Sequence, residues 1–129
     1  MIPKIYASKH KLPIVIVCDD DLLTAFGWQE LLSREGLQVV HLWHPDEMMI
    51  WLKTHSEGVQ GIILDCLFGA WDLRVNFSLA QLRQICPDDT KIVIATNLPS
   101  SALVSLDVDL VANKQPRPWS ELVARATSH

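Results

Sequence analysis

Short apolar runs alternate with longer segments of helical spacing along the chain. The runs are rich in Val, Ile and Leu, which is typical of strands buried on both faces of a parallel sheet. Polar or turn-forming residues follow the runs, so each predicted strand has a defined end. The predicted strands cover residues 13–18, 37–43, 62–64, 91–95 and 108–112.

The segments between these runs predict helices. Residues 21–35 predict the first helix, with Gly36 as its C-terminal glycine. Pro45 opens the second helix at its first position, where a missing N–H costs nothing. A third helix is expected to stop before Pro87, whereas residues 99–105 hold at most two helical turns.

The spacing of apolar residues predicts which side of each helix is buried. The expected positions are Leu22, Ala25, Phe26 and Leu32 in the first helix; Met48, Met49, Trp51 and Leu52 in the second; Val75, Leu79, Leu82 and Ile85 in the third; and Trp119, Leu122, Val123 and Ala126 in a last helix over 118–126.

Strands that alternate with helices imply right-handed βαβ crossovers and a parallel sheet that is covered on both faces. The length of 129 residues suits one domain over 1–129, with residues 1–12 as an extended lead-in. We therefore predict an α/β fold, a flavodoxin-like doubly wound parallel five-stranded sheet of order 2-1-3-4-5 with a shortened fourth helix.

Composition and charge argue against several classes of function. The net charge is −4 and no basic stripe is present, which argues against direct nucleic-acid binding by this chain. No apolar run is long enough to span a membrane, and the N-terminal residues lack a secretory pattern. The cysteines are odd in number and lack metal-ligand spacing, so we expect buried, reduced thiols in a cytoplasmic protein: Cys18, Cys66 and Cys86.

Three adjacent carboxylates, Asp19, Asp20 and Asp21, end the first predicted strand. Such a group repels itself unless a cation or water screens it, and Mg²⁺ favours carboxylate oxygens. The same residues also suit a solvated helix start with Asp21 as its N-cap. The triplet alone leaves both interpretations open.

Polar groups end three further strands: Asp65 follows the third, Thr96 the fourth and Lys114 the fifth. The ends of parallel strands meet at one edge of a sheet, which is where ligands bind in open α/β folds. In the predicted order the first and third strands are neighbours. Asp20 and Asp65 are therefore expected to face each other across a cleft that Thr96 and Lys114 also line.

This pattern resembles the response-regulator receiver (CheY-like) domain of two-component signalling over essentially the whole chain. That family has an acidic pair, a phospho-accepting Asp, a Thr or Ser and a Lys at successive strand ends. Asp65 follows Asp20 by 45 positions and Thr96 follows Asp65 by 31, near the family's usual spacing. Phe26-Gly27-Trp28, and Lys114 followed by Gln115, are closer to NarL/LuxR-type receivers.

The resemblance implies specific site roles. Asp65 would accept a phosphoryl group from a histidine kinase or phosphotransfer protein. Asp20 and Asp65, with the backbone carbonyl of Leu67, would hold Mg²⁺, and Asp19 would act partly through water.

The resemblance also assigns the two remaining strand ends. Lys114 would pair with the phosphoryl oxygens, and the Thr96 hydroxyl would hydrogen-bond the bound phosphoryl and draw its loop inward. Such a chain is not an enzyme in the ordinary sense: at most it phosphorylates itself from small donors and dephosphorylates itself.

Two departures from the family pattern bear on output. Thr96 to Lys114 is 18 positions, roughly one helical turn short of the usual receiver. Val111 and Ala112 stand where the family has a switching aromatic residue. The resemblance implies a partner protein or an output domain outside this chain, for example a transcription regulator, and leaves homodimer formation open.

Two other functions remain as alternatives. A degenerate receiver would act as a phosphorylation-independent interaction module. A haloacid dehalogenase-like phosphatase would use Asp19 as nucleophile and Asp21 as second acid, but that interpretation gives Asp65 no role.

Aromatic and thiol side chains lie near these strand ends in the sequence. We expect Trp71 to pack against the third helix rather than to gate the site. We expect His41, His44 and His55 at the surface, and no disulfide between Cys18 and Cys66 because both side chains should point into packed faces of the sheet.

Overall fold

A computed structural model describes residues 12–127. The predicted lead-in therefore lies outside the described residues, except for Leu12. The main sheet consists of five strands: β1 (Ile14–Cys18), β2 (Gln38–Leu42), β3 (Val59–Leu64), β6 (Lys91–Ala95) and β7 (Leu110–Ala112). All five are parallel and have the order β2-β1-β3-β6-β7.

A separate two-stranded antiparallel hairpin follows β3. It consists of β4 (Leu67–Phe68) and β5 (Trp71–Asp72), with Gly69 at a positive φ in its turn. When this hairpin is set aside, the strand order is the predicted 2-1-3-4-5. The predicted flavodoxin-like fold class is confirmed.

Helices cover both faces of the sheet. They are α1 (Leu22–Ser33), α2 (Pro45–His55), α3 (Leu73–Asn76), α4 (Leu79–Ile85) and α5 (Trp119–Thr127), with a 3₁₀ helix at Ser100–Leu103. The single 3₁₀ turn agrees with the prediction of at most two helical turns between residues 99 and 105. Among residues 12–127, none of these helices has the length and apolar character that crossing a bilayer requires.

Two hydrophobic layers enclose the sheet, because side chains alternate between its faces. Along β3, Ile62 and Leu64 belong to one layer, and Ile63 belongs to the other. The first layer contains Met48, Leu52 and Leu82 from α2 and α4. The second contains Ala25, Trp28, Leu32, Trp119 and Leu122 from α1 and α5.

Trp119 lies directly over Gly61, in the middle of the sheet. A Cβ atom at Gly61 would overlap the indole ring, so a glycine is needed for this close approach. Trp119 is buried here and anchors the start of α5. The predicted last helix and its buried side are confirmed.

The apolar face of α1 differs from the sequence prediction. Ala25 and Leu32 are buried as expected, but Phe26 is 56% exposed and Leu22 is also exposed. Trp28, only 1% exposed, occupies the core instead. The bulky indole three residues after Ala25 sets which side of the helix faces the sheet, and that turns Leu22 and Phe26 outward.

Two helices, α3 and α4, stand where the sequence predicted one third helix, so the prediction of a single helix was wrong. Phe77 is extended, and the hydroxyl of Ser78 accepts a hydrogen bond from the Gln81 N–H at 3.2 Å, which caps a new helix. Val75 is therefore exposed rather than buried. Leu82 is buried and keeps the predicted contact with the core.

Candidate functional site

Three carboxylates meet at the carboxyl edge of the sheet. Asp19, Asp20 and Asp65 each offer an oxygen, and these oxygens lie within 4.8 Å of one another. The neighbouring strands β1 and β3 set this distance, because the Asp65 N–H continues their ladder by donating to the Cys18 carbonyl at 3.0 Å. The predicted juxtaposition of Asp20 and Asp65 is present.

The three carboxylates differ in burial. Asp19 is 3% exposed and Asp65 is 6% exposed, whereas Asp20 is open to solvent. Burial raises the pKa of Asp19. The hydrogen bond that the Asp21 N–H donates to its Oδ1 at 2.8 Å opposes this shift but does not cancel it. The nearby charge of Asp65 acts in the same direction as burial. A buried pair of acids at this distance favours a cation between them.

Lys114 supplies a positive charge from the end of β7. Its ammonium donates to Asp65 Oδ2 at 2.9 Å and lies 3.2 Å from Asp19 Oδ2. Partial burial disfavours the charged form, but the hydrogen bond to Asp65 and the two carboxylate charges outweigh it and raise the pKa of Lys114. The structure thus brings Lys114 to the predicted carboxylates.

Asp21 does not join this cluster. Its Oδ1 accepts a hydrogen bond from the Leu23 N–H at 3.1 Å and its Oδ2 accepts one from the Thr24 hydroxyl at 2.8 Å. These contacts cap α1 and lower the pKa of Asp21. The acidic triplet divides between two roles: Asp21 caps the helix, whereas Asp19 and Asp20 lie in the carboxylate cluster, where a metal site stays a prediction.

Thr96 occupies the carboxyl end of β6, as predicted, and is buried. Its N–H donates to the Ala112 carbonyl at 3.0 Å, which places it between β3 and β7 at the same edge. Its hydroxyl oxygen accepts a hydrogen bond from the Leu98 N–H at 3.3 Å and so closes the turn after β6.

Leu67 lies in β4, two residues after Asp65, and pairs with Asp72 in the hairpin. The Cys66 N–H donates to Asp65 Oδ1 at 2.7 Å, so the backbone that leads into the hairpin also fixes the Asp65 carboxylate. The predicted role of the Leu67 carbonyl as a metal ligand stays a prediction.

An aromatic cluster that the sequence did not predict packs beside the hairpin. Trp71 lies edge-on to His44, with ring centroids 4.7 Å apart, and it also contacts Phe68 at 5.7 Å and Phe77 at 6.1 Å. Trp71 is half-buried in these contacts and packs against Phe77, which joins α3 to α4.

Two of the three histidines expected at the surface are half-buried. His41 Nε2 lies 2.7 Å from the backbone oxygen of Asp19, and His44 Nδ1 accepts a hydrogen bond from the Asp46 N–H at 3.0 Å to cap α2. The surface location is therefore wrong for His41 and His44 and right for His55. For His44, Pro45 was the available signal, because a Pro at the first helical position makes the preceding residue the N-cap.

All three cysteines are free and buried. Burial raises the pKa of the Cys18 thiol well above its ordinary value, and that of Cys86 to about 11. Buried thiols of raised pKa are poor nucleophiles. The prediction of buried, reduced thiols with no Cys18–Cys66 disulfide agrees with the structure.

Comparisons with known proteins point to one kind of structure. No family model and no curated protein matches the sequence. A response regulator from Thermotoga maritima has a TM-score of 0.70 at 19% identity, over 92% of this chain and 100% of that one. A response regulator from Burkholderia pseudomallei, solved with a phosphorylated aspartic acid, calcium ion and citrate, has a TM-score of 0.72 at 22% identity, over 90% of this chain and 69% of that one.

A third similar structure was also solved as a complex. Response regulator TrrA from Thermotoga maritima, in complex with Mg(2+)-BeF, has a TM-score of 0.66 at 22% identity, over 91% of this chain and 98% of that one. The finer NarL/LuxR-type resemblance is not addressed by these structures. Residues 12–127 therefore have the fold of response regulator receiver (CheY-like) domains.

Proposed function

We propose that this chain is a phosphorylatable receiver domain that accepts a phosphoryl group on Asp65 from the phosphohistidine of a histidine kinase or phosphotransfer protein, in a Mg²⁺-dependent reaction. The observation that carries the proposal is the position of Asp65. Its carboxylate lies beside the acidic pair that follows β1 and 2.9 Å from the ammonium of Lys114, which follows β7, so one oxygen can face a metal and a transferred group can face the lysine.

The donor set fits a divalent cation. Asp19, Asp20 and Asp65 carry three negative charges against the single charge of Lys114, and hard oxygen ligands of this kind suit Mg²⁺. Asp20 is exposed, which leaves a side for retained waters and for the phosphoryl donor. The Leu67 carbonyl is a further proposed ligand. When bound, Mg²⁺ would neutralise charge that develops on the transferring phosphoryl oxygens.

The chain's own residues then perform the remaining steps. A carboxylate oxygen of Asp65 attacks phosphorus, and the P–N bond of the donor phosphohistidine breaks as the new O–P bond forms. Lys114 exchanges its contact with Asp65 for an oxygen of the bound phosphoryl group. The Thr96 hydroxyl leaves the Leu98 N–H and donates to a second phosphoryl oxygen, which moves the turn after β6.

The proposed output is a change in how the chain contacts a partner protein or an output domain outside these residues. The single 3₁₀ turn between β6 and β7 favours a second candidate function, a phosphorylation-independent interaction module, because it leaves little helix to rearrange. The phosphatase alternative loses support because Asp21, its second acid, is occupied in capping α1.

The test is the intact mass of the protein after incubation with Mg²⁺ and acetyl phosphate. The wild-type chain is expected to gain one phosphoryl group, and the gain is expected to disappear with EDTA or in Asp65→Asn. Asp88→Asn, an exposed acid outside the carboxylate cluster, is the matched control and should behave like the wild type. No mass gain in a folded, Mg²⁺-loaded protein would contradict the proposal and favour the interaction module.

A further inference from the structure

The end of the sheet opposite Asp65 holds a groove that the proposed function does not use. It has a volume of about 700 Å³ and lies where β1 and β3 begin, next to the end of α2 and the turn before β6. Its apolar lining includes Ile14, Val59 and Pro87, while Gln38 and Gln60 add amide groups.

Backbone hydrogen bonds fix the floor of the groove. The Ile14 N–H donates to the Gly58 carbonyl at 3.0 Å, and the Gln38 N–H donates to the Pro13 carbonyl at 2.8 Å. Both bonds join the start of β1 to its neighbours in the sheet. Any occupant of the groove therefore lies against a backbone whose protection from hydrogen exchange can be measured.

The charge of the groove is negative. Glu57 and Asp89 line it and are exposed, and neither forms an ion pair with a basic side chain of residues 12–127. No lysine or arginine is among the described residues that line it. An occupant with positive charge and some apolar surface would match this lining.

Leu12 connects the groove to the rest of the sequence. It lines the groove, is 53% exposed, and is preceded in the chain by residues 1–11. Those eleven residues contain three lysines, one histidine and no carboxylate. Their apolar members include Ile2, Ile5 and Tyr6.

We propose that this groove binds the chain's own residues 1–11, with Lys4, Lys9 and Lys11 opposite Glu57 and Asp89 and with the apolar side chains over Ile14 and Val59. Eleven extended residues reach about 36 Å, more than is needed to cross a groove of this size. Covalent attachment at Leu12 gives the segment a high local concentration at the groove. The bound segment stabilises the sheet from the end opposite Asp65.

The test is a charge swap in the full-length chain, read by amide hydrogen exchange at low salt. Reversing Lys4, Lys9 and Lys11 to Glu should speed exchange at the Ile14 and Gln38 amides about three- to tenfold. Glu57→Lys with Asp89→Lys should do the same, and combining both sets should restore protection. The Thr96 amide, at the opposite end of the sheet, should not change.

Asp88→Lys is the matched control, because Asp88 is exposed beside Asp89 but does not line the groove. It should leave exchange at Ile14 and Gln38 unchanged. Unchanged exchange in both charge-reversed proteins would overturn the proposal. So would a protein with both sets of substitutions in which the two losses of protection at Ile14 and Gln38 add together. Protection could instead return only when the lysine-reversed protein is mixed with the acid-reversed protein. That result would identify a second copy of the chain as the occupant and would also overturn the proposal. Phosphoryl uptake by Asp65 is a separate readout, so failure of either proposal is distinguishable.

Discussion

Two neighbouring regions at the carboxyl edge of the sheet are held in different ways. The acidic site around Asp65 rests on the ends of β1, β3 and β7, and Asp65 and Asp19 are buried and tied by backbone hydrogen bonds. The connection from β6 to β7 contains one 3₁₀ turn, anchored by buried Leu103 and by Arg83. The site depends on the whole sheet, whereas the connection depends on a few contacts and can change without moving the site.

The largest effect is expected from a substitution in the sheet that carries the site. Gly61→Ala forces the Trp119 ring away from β3, and overpacking of this kind is expected to cost about 3 kcal/mol in free energy of unfolding. Urea denaturation measures the loss. Adding Trp119→Leu to Gly61→Ala should recover part of it, and full stability of Gly61→Ala alone would show that the ring is not closely packed.

A smaller effect is expected from a substitution within the acidic site itself. Lys114→Ala removes the ammonium group that pairs with Asp19 and Asp65. We expect about 2 kcal/mol of destabilisation at neutral pH, because two buried like charges remain. Thermal melts with and without Mg²⁺ provide the measurement. Millimolar Mg²⁺ should stabilise the variant more than the wild type, and an equal effect on both would argue against a metal site at these carboxylates.

A still smaller effect is expected from a substitution that loosens only the connection from β6 to β7. Arg83 donates to the Asp107 carbonyl at 3.2 Å and to Asp109 Oδ2 at 3.4 Å, and Asp109 Oδ2 accepts from the Ile92 N–H at 2.7 Å. Arg83→Ala is expected to cost about 1 kcal/mol and to speed hydrogen exchange mainly between β6 and β7. Phosphoryl uptake should persist. Arg34→Ala, which removes an exposed ion pair with Glu30, is the control and should change little.

The smallest expected effect is a pH dependence at Asp19. Burial raises the pKa of Asp19 above 3.8, so the folded state holds its proton more tightly than the unfolded chain does. Ionisation of Asp19 therefore opposes folding: the cost is absent below pH 3.8 and grows as pH rises through the raised pKa. Asp19→Asn should gain stability relative to the wild type over that window, as measured by melts at successive pH values. A constant difference would contradict the assignment.

The sequence predicted the site better than it predicted the helices beside it. The ends of β1, β3, β6 and β7 follow from short Val- and Ile-rich runs, and parallel strands bring those ends together whatever the connections do. That is why Asp19, Asp20, Asp65, Thr96 and Lys114 could be placed at one edge without knowledge of any contact.

Helix details depended on packing that spacing alone does not encode. The first helix offers two apolar sides, and the size of Trp28 decides between them. The third helix carries a continuous apolar period, but Ser78 supplies a cap that starts a second helix within it. The contact of Trp71 with His44 joins residues far apart in the sequence, so no local pattern predicts it.

The most direct measurement is to find which carboxylate carries the phosphoryl group. The protein is incubated with Mg²⁺ and acetyl phosphate, the acyl phosphate is reduced with borohydride, and peptides are mapped by mass spectrometry. We predict homoserine at position 65 only, because Asp65 lies beside the acidic pair and makes the shorter contact with Lys114, 2.9 Å against 3.2 Å for Asp19. Homoserine at position 19 would contradict the account and favour a phosphatase-like nucleophile on β1, and no homoserine at all would contradict a phosphoryl-accepting site.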